Sequence, residues 1–484
     1  VSVRLIGEAV PNETTGQVST FFRNPPEQPF SKLALKFERG VLTPVANPLL
    51  CGTATGSTSF EPTSAPGTAK TEPFGVSVTG CAATIPFALT QSTQNQTTSA
   101  GGHTSFTFNL ARTDGQQYLG KVSTVLPAGV VGAIPTVTQC AEPQAAAGTC
   151  GSASQIGTAT VTAGAGPTPF TFSGPAYLTG PYQGAPFGMS IAVPAVAGPF
   201  NLGTVVTRAT INVDPTTARV IATSTLPTIV KGVPLRLKTI SVAVNKQGFL
   251  FNPTSCSPLS TDSTLTSTLN ATQSLSTPLQ LTNCSALAFK PSFKAKTGAK
   301  TSKKNGASLE TTLNLPGGGS NVKSVLVSLP IALPSRLTTL QKACPEATFK
   351  ANPFGCPPGS FVGGVRANTP VLKDKMKGPA ILVSHGGAAF PDLDLVLEAD
   401  GVRVILVGNT DIKKGITTTN FAATPDAPVS SITVNLPVGA HSALAAFGNL
   451  CTIPLVMPTT ITGQNGKVIK QRTKISVSGC GVQI

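Results

Sequence analysis

"FNPTSC" stands at residues 251–256, "ANPLLC" at 46–51 and "FGNLC" at 447–451. A loop signature that ends in cysteine and returns at nearly one interval marks an internal repeat, and the other cysteines test it. They lie at 51, 81, 140, 150, 256, 284, 344, 356, 451 and 480. Cys256 follows Cys51 by 205 residues, and Cys284 follows Cys81 by 203. Cys344 and Cys356 follow Cys140 and Cys150 by 204 and 206; Cys451 and Cys480 follow Cys256 and Cys284 by 195 and 196. A period near 200 places every cysteine in the chain.

The text around the cysteines repeats as well. A first kind of unit, type A, has an alternating strand, the cysteine loop, a Ser/Thr-rich stretch and a closing strand. The closing strands read "FGVSVTGC" (74–81), "LQLTNC" (279–284) and "KISVSGC" (474–480); the earlier ones read "FSKLALKF" (30–37), "LRLKTISVAV" (235–244) and "VSSITVNL" (429–436). Alternation of apolar and polar residues is the pattern of a half-buried strand. Type B fills the gaps: "FTFNLARTDGQQYLGKVSTVLPAGV" (106–130) matches "LETTLNLPGGGSNVKSVLVSLPIAL" (309–333), and "GPAYLTGPYQGAPFGMSIAVPA" (174–195) matches "GPAILVSHGGAAFPDLDLVLEA" (378–399). The order is A-B-A-B-A, with expected domains at 1–81, 82–203, 204–284, 285–407 and 408–484. Helical periodicity is confined to short stretches near 141–148 and 336–345. Residues 392–407 read as a hairpin turning at Asp400–Gly401. The expected fold is all-β: a tandem array of sandwich-like, mostly antiparallel domains stapled by disulfides.

Composition agrees. The 484 residues are too many for one core, and 48 Gly with 42 Pro suit short strands joined by many turns. Only 11% of residues are charged, so Ser, Thr, Asn and Gln carry the polar surface. No apolar run is long enough for a membrane-spanning helix. The net charge of +16 is uneven: residues 1–240 carry +4 and residues 241–484 carry +12.

A recurring unit closes its own bridges, which pairs Cys51–Cys81, Cys140–Cys150, Cys256–Cys284, Cys344–Cys356 and Cys451–Cys480. In the chain-entropy view each contributes roughly 2.5–4 kcal/mol. Zinc is the competing reading, but the three histidines, at 103, 385 and 441, sit at no ligand spacing from cysteine. Disulfides imply an oxidising, extracellular or cell-surface location.

No catalytic constellation emerges, and the expectation is that the chain is not an enzyme and carries no cofactor. "SHGG" (384–387) resembles an oxyanion turn but lacks any G-x-S-x-G elbow. Asp392, Asp394 and Glu398 share one strand face; hard carboxylate oxygens so placed suit Ca²⁺, but the first B unit has Ser190 and Ala192 there, so a solvated face is expected. The absence of Trp, with only three Tyr, speaks against a sugar-stacking platform. Lys290, Lys294, Lys296, Lys300, Lys303 and Lys304 form a basic run at the start of the second B unit, where the first has the neutral "TQSTQNQTTSAGG" (90–102). Such a run suits anionic cell-wall polymers or other extracellular polyanions. With Phe293 as the single aromatic among six lysines it does not suit sequence-specific nucleic-acid recognition.

At "VLPAGV" (125–130), "GPAYLTGPYQGAPFGMSIAVPAVAGPF" (174–200), "VDPTTARV" (213–220) and "FNPTSC", the chain resembles large secreted tandem-repeat surface proteins of actinobacteria. The resemblance implies a surface-associated structural role and brings no assigned activity and no functional residues. The expected function is an extracellular surface, sheath or filament subunit. The opening "VSVRLIGEAV", in register with "VVTRATINVD" (205–214), and the closing "GCGVQI", in register with "GCAATIPF" (80–87), put unit boundaries at both ends. They motivate a head-to-tail homopolymer; the alternative is an adhesive array acting through the lysine-rich face.

Overall fold

The computed structural model describes residues 2–38, 40, 45 and 47–480. Two hairpins come first, β1 (Gly7–Pro11) with β2 (Val18–Phe22) and β3 (Gly52–Phe60) with β4 (Lys70–Val78). Eleven strands follow, two-residue ladders aside: β5 (Thr90–Asn95), β6 (Phe106–Ala111), β7 (Leu119–Val125), β8 (Gln155–Ala163), β9 (Phe170–Thr179), β10 (Phe187–Ala197), β11 (Phe200–Val213), β12 (Val220–Thr225), β13 (Leu237–Val244), β14 (Leu259–Ser267) and β15 (Thr272–Leu279). Eleven more complete the chain: β16 (Ser292–Gly298), β17 (Leu309–Asn314), β18 (Val322–Ser328), β19 (Phe361–Asn368), β20 (Met376–Ser384), β21 (Asp392–Ala399), β22 (Val402–Lys413), β23 (Ile416–Phe421), β24 (Ser431–Leu436), β25 (Val456–Gly463) and β26 (Val468–Ser478). The only helices longer than a 3₁₀ turn among the described residues are α1 (Glu142–Ala147), α2 (Leu337–Leu340) and α3 (Glu346–Ala351). The protein is all-β, and Asp400 and Gly401 both take the positive φ that their tight hairpin turn demands.

The two sheets have one topology. The first runs β15-β14-β7-β12-β11-β10-β9-β8-β13-β6-β5, and the second runs β26-β25-β18-β23-β22-β21-β20-β19-β24-β17-β16. Adding eleven to each strand number of the first gives the second. Neighbours are antiparallel except β16 and β26, whose parallel pairing (Ala295 with Ile475, Lys296 with Ser476) closes the second sheet into a ring. In the first sheet the matching seam is zipped by side chains along β5 and β15, and just beyond them Thr282 exchanges backbone bonds with Thr98 and Ala100. Gln273 exchanges two bonds with the Leu89 backbone, at 2.8 and 2.9 Å, and Gln91 donates to Thr277 Oγ1 and the Thr261 carbonyl.

This topology corrects the five-domain division. The boundaries at 203/204 and 407/408 fall inside single strands, β11 and β22. Types A and B are sequence repeats, but their strands interleave. β7, from B, lies between the A strands β14 and β12; β13, from A, lies between the B strands β8 and β6. Each barrel is therefore a B unit plus the A unit after it, at about 82–284 and 285–480. The physical reason is burial: an A unit by itself offers two hairpins and one lone strand, which cannot close a core.

Residues 2–80 display that state. They form the hairpins β1–β2 and β3–β4, while 32–38 has no ladder partner. The first hairpin matches β11–β12. Asn12 Oδ1 accepts from the Thr14 and Thr15 amides as Asp214 Oδ1 accepts from those of Thr216 and Thr217. This register differs by two residues from the one expected, because the turn is fixed by its Asx geometry. It preserves the facing: Val3, Leu5, Val18 and Phe22 correspond to inward positions of the first barrel. Here they are exposed, as are Phe30, Leu33, Leu35, Phe74 and Val76, with Phe30 75% and Leu33 67% accessible. Val1 and 481–484, the ends on which joining was expected, lie outside the described residues.

The cysteines are bonded as Cys51–Cys81, Cys140–Cys150, Cys256–Cys284, Cys344–Cys356 and Cys451–Cys480. Three of these span the bases of the hairpins β3–β4, β14–β15 and β25–β26. The other two bracket α1 and α3 on the outside of β9–β10 and β20–β21.

The opening motif also joins the barrels. Asn252 donates to the Thr97 and Ser99 carbonyls, holding the loop to the seam beside β5. Thr254 and Ser255 face Asp426 of the second barrel. Its carboxylate accepts from the Thr254 amide (2.7 Å), Thr254 Oγ1 (2.6 Å), the Ser255 amide (2.9 Å) and Asn321 Nδ2 (2.8 Å). Burial pushes the Asp426 pKa up, and those four donors oppose the rise. Backbone bonds from Ile134 to Val371 and from Ile405 to Pro215 cross the same junction. Asp426→Ala orphans buried donors, a loss of on the order of 3 kcal/mol. In calorimetry the variant should split a joint unfolding transition into separate ones for the two barrels; an unchanged single transition would show that the junction does not depend on Asp426.

Candidate functional site

The outer face of the second barrel carries a row of cations that no single segment contains. Cross-strand register sets Lys294 (β16) beside Thr312 (β17), Thr312 beside Thr433 (β24), Thr433 beside Arg366 (β19), and Arg366 beside Lys377 (β20). The row continues to Glu398 (β21) and Arg403 (β22). At its other end Lys294 and Lys474 immediately precede the paired Ala295 and Ile475, whose side chains are buried, so both lysines point outward. Eight strands at their usual separation span roughly 34 Å. Lys470 and Arg472 extend the exposed face along β26.

Anions on this face are few. Glu398 is paired with Arg403, and Glu310 with Lys296 at 2.9 Å. Among the described residues no carboxylate lies within ion-pair distance of Lys294, Arg366, Lys377 or Lys474, and all four are exposed. The same row on the first barrel is Ser92, Asn109, Ser241, Thr160 and Ser173. Its hydroxyls satisfy one another, Thr160 with Ser173 at 2.7 Å. One scaffold thus presents a neutral hydroxyl ladder in one copy and a cationic ladder in the other.

The six sequence-adjacent lysines do not stay together. Lys294 and Lys296 stand on the outer face of β16, and Lys290 lies on its approach. Lys300, Lys303 and Lys304 lie in the loop beyond, where Arg336 donates to the Lys303 and Lys304 carbonyls. Arg366, Lys377 and Lys474 were missed because only strand register brings them alongside. The alternation of "KQRTK" (470–474) was the one signal available.

A second cluster sits beneath α3. Asp392 and Asp394 lie on the outer face of β21, but α3 and its disulfide cover that face, so both are buried, Asp394 to 1% exposure. The solvated face weighed for Asp392, Asp394 and Glu398 holds only for Glu398. Asp392 accepts from Asn409 Nδ2 (2.8 Å) and the Thr410 amide (3.2 Å), and His385 Nε2 lies 3.1 Å from it. Asp394 occupies the place of Ser190, whose hydroxyl donates to the Ala145 carbonyl of α1. Burial, then the neighbouring Asp392 charge, pushes the Asp394 pKa to about 7; His385 and the Gly408 amide act against this. His103 is packed on the Phe251 ring, with centroids 4.3 Å apart. Among the described residues, no group of three or more His, Cys, Asp and Glu could hold a metal ion, and no helix is long and apolar enough to cross a membrane.

No family model and no curated protein matches the sequence. Solved structures that align with it include the C-terminal domain of the AgI/II polypeptide BspA of Streptococcus agalactiae. That alignment has 8% identity, covers 80% of this chain and 100% of that one, and has a TM-score of 0.19. A type II cohesin dyad from the adaptor ScaA scaffoldin of Acetivibrio cellulolyticus aligns at 10% identity over 80% and 96%, with a TM-score of 0.18. The B domain of a biofilm-associated protein aligns at 10% over 80% and 84%, with a TM-score of 0.15. Scores this low carry no argument about function.

The Asp394 shift gives a signed expectation. The folded pKa lies above the unfolded value near 4, so its contribution to stability is full below pH 4 and is lost as pH rises toward 7. Denaturant midpoints of the wild type should therefore fall across that window, and Asp394→Asn should flatten the fall by an amount on the order of 2–4 kcal/mol at pH 8. An equal slope in both proteins would refute the assignment.

Proposed function

We propose that the chain is an extracellular structural protein, a surface, sheath or filament subunit whose repeat is a closed barrel made of one B and one A unit. The observation that carries this is the state of residues 2–80. With Cys81 they hold the hairpins and disulfide of an A unit, but they expose side chains whose counterparts point into the first barrel. A type-B segment is the partner whose strands fit there, adding main-chain hydrogen bonds along open edges and apolar area against the inward face. The chain's own two B units are already closed in its barrels, so the segment that fits here is a further B unit; barrels added in this way form a row, and their disulfides and the neutral Ser/Thr face of the first barrel suit an oxidising exterior.

The last A unit offers no such opening, because β26 is already paired with β16. Among the described residues the unfilled A unit is therefore that of residues 2–80. The test fuses a copy of residues 285–407 ahead of residue 1 of the full chain and follows amide exchange. Protection should rise at 7–22 and 52–78. Equal exchange rates with and without the added segment would defeat the proposal.

A second reading rests on the cationic row: the barrel face binds anionic polymers such as teichoic acids. Binding of this kind releases counterions and weakens steeply with salt. Retention of the full chain on a polyphosphate matrix should fall at least tenfold between 50 and 300 mM salt. The variant Arg366→Gln/Lys377→Gln/Lys474→Gln should lose most of it, whereas replacing Lys300, Lys303 and Lys304 should matter less. The reverse ranking would transfer the site to the loop.

A further inference from the structure

We infer that the interior of the two barrels is a binding site for an uncharged, linear hydrocarbon chain. A cavity of about 450 Å³ is lined from both barrels, by Phe108, Val122 and Met189 in the first and by Phe293, Leu395 and Val404 in the second. Protein interiors rarely leave voids much larger than a water molecule, whereas this volume lies within the range of small-molecule sites. Val122, Met189 and Val404 are on inner strand faces, yet each keeps accessible surface, which faces the cavity.

The sequence and the ring explain the space. Eight strands give a barrel that side chains just fill, and eleven make a wider one. The chain has no Trp to occupy the added width, and inner positions such as Ala209 and Ala222 are small. The chemistry of the lining selects the guest. No charged side chain lines the cavity, and its polar groups are threonine hydroxyls and that of Ser224. An apolar cavity of this kind stays dry and accepts apolar guests. The lining continues from one barrel into the next, which suits an alkyl or acyl chain over a compact ring. This inference is independent of the assembly proposed above.

The test uses the full chain and the uncharged fluorophore N-phenyl-1-naphthylamine, with hexadecanol as competitor. Saturable binding that hexadecanol displaces is expected. Residues 2–80 also expose apolar side chains, so variants must separate interior from surface. Ala222→Phe and Val404→Phe fill the cavity and should weaken binding at least tenfold, whereas Phe74→Ser/Val76→Ser should leave it unchanged. Should a phenylalanine variant fail to fold, Ala222→Leu and Val404→Leu fill less and should weaken binding in the same direction. Absence of saturable binding overturns the inference. So does binding that the filling variants leave intact and the surface variant abolishes.

Discussion

The constraint on which the structure depends is that no A unit can close a sheet with its own strands. Its pieces are two hairpins and a lone strand, and every gap between them is filled by a strand of type B. Strands held at a fixed spacing by main-chain bonds leave no substitute for the missing neighbour. The consequence appears twice as a barrel and once, at residues 2–80, as an unfilled half. There the same alternating pattern that half-buries Val205 and Val220 in the first barrel leaves Val3 and Val18 in solvent.

Much of the fold was legible because its signals are local. Cysteine spacing, alternation and the Asp400–Gly401 turn give most of the strands, the repeat and the hairpin of β21 and β22, although the alternating 30–37 forms no strand and 279–284 leaves its strand at Leu279. Domain limits were not legible, because they depend on pairing between distant segments. β7 bonds to β12 and β14, which lie about a hundred and more residues farther along the chain. A boundary drawn where the repeat changes text therefore cuts β11 in two. The basic face shows the same division. A run of lysines is visible in sequence, but the row through Lys474, Lys294, Arg366 and Lys377 exists only once register is known. For Asp394 the face was read as outward, as it is. What covers it comes from α3, whose position is held by a disulfide formed around it rather than by any pattern in β21.

The two barrels also show how one scaffold takes different surface chemistry. Outward positions of a closed sheet do not contribute to its core, so Ser92, Thr160 and Ser173 in one copy can stand where Lys294, Arg366 and Lys377 stand in the other. Inward positions are held to apolar or small residues in both. The charge difference between the halves of the chain is thus a difference in decoration, carried on a shared frame.

The seam of each barrel has a mechanical meaning. The chain comes in at the start of β16 and leaves at the end of β26, and these two strands lie side by side and parallel. Tension along the chain therefore slides them past each other, so their backbone bonds must yield together rather than one after another. In the first barrel the corresponding strands, β5 and β15, are held by the side chains of Gln91 and Gln273, and beyond their ends Thr282 exchanges backbone bonds with Thr98 and Ala100. Two barrels of one topology thus differ in the joint that bears load: a continuous backbone ladder in the second, and side-chain bonds ended by a single backbone bridge in the first.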